Sequence, residues 1–186
     1  MVQVAKALAP LLRAQFPSLS PRLLDAQVRA MVRSIEDRAG SGGWDVGVML
    51  TSDAHMQQLN RKFRQKNKPT DVLSFPFHKL SACDWLQISK PGRFPHVASR
   101  EERYLGDIYI SPAYVQRQCE RGELDDDATL ETRMPVLLAH GLCHLLGYDH
   151  EEDDEFERMQ KAEAYILRRY TQFLPAHPSS SSKSSS

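Results

Sequence analysis

His140-Gly-Leu-Cys-His144-Leu-Leu-Gly147-Tyr-Asp-His150 constrains this chain more than any other stretch. Residues four apart on a helix share one face, about one turn apart. His140 and His144 can therefore aim two imidazoles at one point. Gly147 permits the left-handed turn that ends a helix, and His150 can then return to the same point. Three neutral imidazoles with one open position are the usual protein share of a catalytic zinc site. A metal held so makes water a nucleophile near neutral pH.

The plainer reading is a surface or core histidine pair. The rest of the helix argues against it, because Val136, Leu137, Leu138, Leu142, Leu145 and Leu146 are apolar. Such a helix holds two polar rings at a cost unless something binds them. Cys143 lies between the two histidines on another face and reads as packing. The three cysteines (Cys83, Cys119, Cys143) are scattered and odd in number, so no disulfide framework follows.

The spacing repeats that of the metzincin motif H-E-x-x-H-x-x-G-x-x-H, with Gly141 where the protease carries its general-base glutamate. Without that carboxylate peptide hydrolysis lacks its proton acceptor, and a metalloprotease becomes the weaker reading. Residues 61–68 point elsewhere. Arg61, Lys62, Arg64, Lys66 and Lys68 are five cations with no acid among them, in a chain whose formal net charge is zero. Zero net charge argues against binding nucleic acid by bulk electrostatics, yet a local basic block suits phosphate oxygens, and arginine can meet them bidentately. The alternative is a solvated helix end, where cations also complement the dipole. The acidic run Glu151–Glu157 has a similar reading: acids favour a helix N-terminus and are usually solvated.

Along the chain, the pattern predicts a helix over Pro21–Ala39 with Leu23, Leu24, Val28, Met31, Val32 and Ile35 inward. It predicts a strand at Trp44–Thr51, then a helix capped by Asp53 and running to about Phe63. A strand at Thr70–Phe77 is marked by Pro76 as an edge or a strand end. A third strand covers Gly106–Ser111, and Pro112 opens a helix to about Arg121. Pro135 is awkward unless the regular histidine helix starts close to it. The last helix spans Glu151–Tyr170 with Phe156, Met159, Ile166 and Leu167 inward.

The blocks HGLCHLLGYDH (140–150), RQKNKPTDVLSFPF (64–77) and LGDIYIS (105–111) together resemble the YbeY family, metal-dependent, single-strand-specific endoribonucleases of ribosomal RNA maturation. The resemblance covers residues 44–170. It implies an α/β fold of α+β type: a small mixed sheet flanked by helices, with the three-histidine site at the end of a central helix. It implies one zinc ion on His140, His144 and His150, and Arg64 as the residue essential for activity. Asp71 and Gly106-Asp107 fall in its other blocks as site-shaping residues, although Asp107 can equally be structural; by the phosphate reading of the basic block, Lys62, Lys66 and Lys68 would bind substrate. The implied partners are single-stranded RNA, ribosomal RNA near a small-subunit 3′ end, and small-subunit ribosomal proteins. No membrane partner is expected, since no apolar run reaches a span, and the oligomeric state stays open.

Gln65 departs from the family, standing where glycine is common. HGLCHLLG and FPFH are closer to eukaryotic, organelle-directed members, which favours mitochondrion or chloroplast over cytoplasm. Met1–Leu24 is basic and acid-free, reading as a targeting-like segment or a first strand. Residues 25–174 read as a single domain, 78–103 as a loop insertion longer than in compact members, and 175–186 as a disordered, serine-rich tail. Two rival functions remain: a zinc metalloprotease, or a non-catalytic ribosome-assembly module with a structural metal. A structural zinc normally needs a fourth ligand, for which Cys143 or Asp149 is available.

Overall fold

A computed structural model of the chain describes residues 2–4, 14–17, 19–36, 43–78, 97, 99–100, 102–150 and 152–174. Its elements in order are β1 (Val2–Val4), α1 (Pro21–Glu36), β2 (Asp45–Leu50), α2 (Asp53–Arg64), β3 (Val72–Pro76), β4 (Tyr104–Ile110), α3 (Pro112–Glu120), α4 (Leu130–Leu145) and α5 (Asp153–Arg169). A short 3-10 turn, Tyr170–Phe173, follows.

The four strands form one mixed sheet in the order β1-β2-β4-β3. The β1–β2 and β2–β4 pairs are parallel, and β3 runs antiparallel to β4. Alternation sorts the side chains. Val46, Val48, Leu50, Ile108 and Ile110 are buried on one face, where α1, α4 and α5 pack around them. On the other face α2 lies over β3 and β4, with His55 against Tyr109 and Phe63 against Phe75. Helices on both faces of a small mixed sheet are the α+β arrangement the resemblance implies. Helix α4 is central: Met134, Leu138, Ala139, Leu142, Cys143 and Leu145 on it are almost wholly buried. Among the described residues, no helix is long and apolar enough to cross a membrane.

Pro76 ends β3, and β3 is an edge strand, as its proline demands. Several other expectations change. The third strand begins at Tyr104 instead of Gly106. Leu23 is 40% exposed, one position off the stripe Leu24, Val28, Met31, Val32, Ile35. Phe156 is 50% exposed, because the buried stripe of α5 starts a turn later, at Met159. Asp53 is not the cap of α2. Ser52 caps it, accepting from the His55 N–H at 3.4 Å, while the Asp53 carboxylate accepts from the Ser111 hydroxyl at 2.6 Å and pairs with Arg117.

Pro135 does not sit near a helix start. Helix α4 begins at Leu130 behind a Thr129–Thr132 capping box and runs straight through it. Proline removes one backbone donor there, and burial of Met134, Leu137 and Leu138 on either side outweighs the loss. The end of the first predicted helix past Glu36, most of the 78–103 insertion and the 175–186 tail lie outside the described residues.

Candidate metal centre

His140 and His144 occupy the last turns of α4, and Gly147, at φ 88°, turns the chain so that His150 faces them. One ring nitrogen from each of the three histidines lies within 4.8 Å of the others. Their ring centroids stand 4.7, 5.1 and 5.6 Å apart. Among the described residues this is the one such cluster, and neither Cys143, Asp149 nor the acids of α5 join it. Cys143 is fully buried in the apolar core, and burial raises its thiol well above the ordinary range. Asp149 instead accepts from the His150 N–H at 2.9 Å.

The back of the cluster decides what its front can do. The Nδ1 of His140 lies 2.7 Å from Glu163 Oε1, and the Nδ1 of His144 lies 3.0 Å from the Tyr148 carbonyl oxygen. Both partners are acceptors, so both Nδ1 atoms are the donors. In the neutral rings each Nε2 then carries a lone pair, yet these two Nε2 atoms lie only 3.2 Å apart. Two lone pairs at that distance repel unless a shared proton or a metal ion lies between them. Nitrogens bound tetrahedrally to one zinc stand roughly 3.3 Å apart, from a bond length of about 2.0–2.1 Å. The donor set therefore fits a metal ion. Burial first, then the neighbouring His140 and His150, lowers the His144 pKa to about 4, so that ring is neutral and able to ligate at physiological pH.

Glu163 is the residue that sequence reasoning missed. It lies on α5 between the buried Met159 and Ile166, four and three residues away. A carboxylate on an inward stripe was the available signal, hidden among the many acids of that helix.

Gly141 has a structural reason. A Cβ there would meet Ile108 Cδ1 and Cγ2, each at 2.9 Å. The position faces the sheet, so a glutamate at 141 would enter the core beside β4, away from any substrate.

The basic block lies at the end of α2 and in the loop that follows. Arg61, Lys62, Arg64, Lys66 and Lys68 are all exposed, and among the described residues none has a carboxylate partner. Lys62 Nζ lies 5.0 Å from the centre of the Phe63 ring. Gln65 closes α2 in the left-handed region, with φ 58°, the one non-glycine residue described there. That conformation is why glycine suits the position. Asn60, buried within α2, donates to the Lys68 carbonyl at 2.7 Å, and Gln57 donates to Asn67, so the loop is tied to the helix. Asp71 serves the same loop, accepting from the Thr70 hydroxyl at 3.0 Å and the Val72 N–H at 2.8 Å. Asp107 faces away from α4, accepting from the Tyr104 hydroxyl at 2.6 Å over Gly47. The three histidines are thus brought together, whereas Asp71 and Asp107 spend their carboxylates on local structure.

Comparison with known proteins agrees with this arrangement. The family model described as Endoribonuclease YbeY matches residues 15–171. A human protein named Endoribonuclease YbeY is 33% identical over 142 residues, covering 76% of this chain and 77% of the relative. Its namesake in Rhodopseudomonas palustris is 40% identical over 131 residues, 70% of this chain and 60% of that protein. Another, in Azorhizobium caulinodans, is 36% identical over 142 residues, 76% of each. The match runs from the helix before the first central strand to the helix that carries Glu163, and the chain belongs to the YbeY endoribonuclease family.

Proposed function

We propose that this chain is a metal-dependent endoribonuclease that hydrolyses phosphodiester bonds of single-stranded RNA in ribosomal RNA maturation, at the 3′ end of a small-subunit rRNA. The carrying observation is the pair of Nε2 lone pairs 3.2 Å apart, each ring fixed from behind by an acceptor. His140, His144 and His150 would hold one zinc ion. When bound, it would supply Lewis acidity and lower the pKa of a water toward neutrality.

The protein's own groups do the rest. Glu163 and the Tyr148 carbonyl hold the first two imidazoles in one tautomer. Arg64, an exposed guanidinium, neutralises charge that grows on the phosphate, an effect typically worth ~3–4 kcal/mol. Lys62, Lys66 and Lys68 hold the flanking backbone, and Asp71 keeps their loop in shape. Small-subunit ribosomal proteins are the proposed partners. The proposed compartment is mitochondrion or chloroplast, supported by the likeness of HGLCHLLG and FPFH to organelle-directed members and not by the N-terminus, whose Val2–Val4 is strand β1 of the sheet; cell fractionation tests it.

Cleavage of single-stranded RNA by the zinc-loaded protein tests the reading. Arg64→Ala should slow it ~100- to 1000-fold. Equal rates for the two proteins would remove Arg64 from the mechanism, and absence of cleavage by the wild type would remove the function.

A further inference from the structure

The sheet face opposite α4 carries a run of aromatic rings that the site at the histidines does not use. Phe63 of α2 meets Phe75 of β3 edge-on at 5.0 Å, and Phe75 meets Tyr109 of β4 edge-on at 5.5 Å. Just past the end of β3, Phe77 packs on Tyr104 at 5.7 Å and on His78 at 5.2 Å. Two of these rings open to solvent: Phe63 is 54% exposed and Phe77 is 59% exposed. Phe63 stands among the five cations of residues 61–68, which have no carboxylate partner among the described residues.

A ligand for such a surface must offer flat apolar faces and repeated negative charge together. Single-stranded nucleic acid does: its bases stack on exposed aromatic side chains while cations follow its phosphates. An acidic peptide would satisfy the charge but has no reason to present rings at a regular spacing.

The patch has a fixed relation to the histidines. Ser74 of β3 pairs with Ile108 of β4, and Ile108 abuts Gly141, the neighbour of His140. Phe75, the next residue on β3, points to the opposite face. The rings and the helix that carries His140 and His144 therefore lie on opposite faces of the β3–β4 pair. Given the endoribonuclease reading, on which this inference rests, we propose that Phe63 and Phe77 form a base-stacking site for nucleotides flanking the cut, reached by RNA that rounds β3.

The test is binding of the full, zinc-loaded chain to two labelled oligomers of roughly 12 nucleotides, within the usual range of single-strand sites. One carries bases, and the other is an abasic ribose-phosphate chain of equal length. Wild type should prefer the base-bearing oligomer. Phe63→Ala/Phe77→Ala should bind that oligomer ~10- to 100-fold more weakly, bind the abasic one as before, and keep its melting temperature. Phe63→Trp/Phe77→Trp should restore the preference. Equal wild-type affinity for both oligomers overturns the stacking site, as does an alanine variant that keeps the preference, even if the wild type cuts RNA. A wild type that neither binds nor cuts RNA fails the nuclease reading and takes the stacking site with it.

Discussion

At the scale of single residues, Glu163 is where the metal centre can be loosened without touching a ligand. It reaches His140 Nδ1 from a neighbouring helix at 2.7 Å, fixing the ring's tautomer and aim. Glu163→Gln should lower zinc affinity ~10- to 100-fold, read by competition against a chromophoric chelator, while the far-ultraviolet circular dichroism stays unchanged. Unaltered affinity would mean that the carboxylate does not orient the ring. The histidines themselves were legible, because helical spacing and one glycine turn suffice to converge them. Glu163 was not, since its meaning depends on the rotational setting of α5 against α4, a tertiary fact. Asn60 and Gln57 escaped for the same reason: nothing local says that their side chains tie down a loop.

Elements show how sequence punctuation competes with packing. Pro112 and Pro76 act locally and were read correctly as a helix start and a strand end. Pro135 is awkward by its local preference yet sits inside α4, because the burial around that helix overrides the preference of one residue. Asp53 resembled a cap by type, but Ser52, one position earlier, has the extended backbone a cap requires. Gly141 is the sharpest case. By sequence it is only a missing protease base, whereas in the fold it is the contact that seats α4 on β4. Gly141→Glu, which completes the protease motif, should create no peptidase. It should destabilise the protein by at least ~3 kcal/mol, since a carboxylate would be driven against Ile108 in the core. Urea unfolding and a casein assay check the two halves of that expectation. A stable variant that digests casein would revive the protease reading.

Across the whole molecule, the fold class came with the resemblance, but the strand order β1-β2-β4-β3 is set by pairings between distant segments that no local pattern encodes. The linkage of metal, protons and stability belongs at this scale. In the metal-free protein His144 titrates at about 4 when folded and at its ordinary 6.5 when unfolded. Between those values the unfolded chain binds the extra proton. The His144 contribution to stability is therefore fully present above about pH 6.5 and is lost as pH drops toward 4. Zinc at 100 times its dissociation constant should add ~2.7 kcal/mol, or roughly 5–11 °C of melting temperature for a chain of this size. Calorimetry with and without chelator across that pH range checks both. Outright unfolding on chelation, with no RNA cleavage when loaded, would favour the structural-metal alternative. The edge position of β3 carries one more consequence. A polymer that touches histidines on one side and rings on the other must bend sharply around the edge of the sheet. A flexible single strand can do so, whereas a duplex, stiff over ~50 nm in the case of DNA, cannot. Discrimination against paired substrate would then be mechanical, set by bending rigidity and not by recognition of any base.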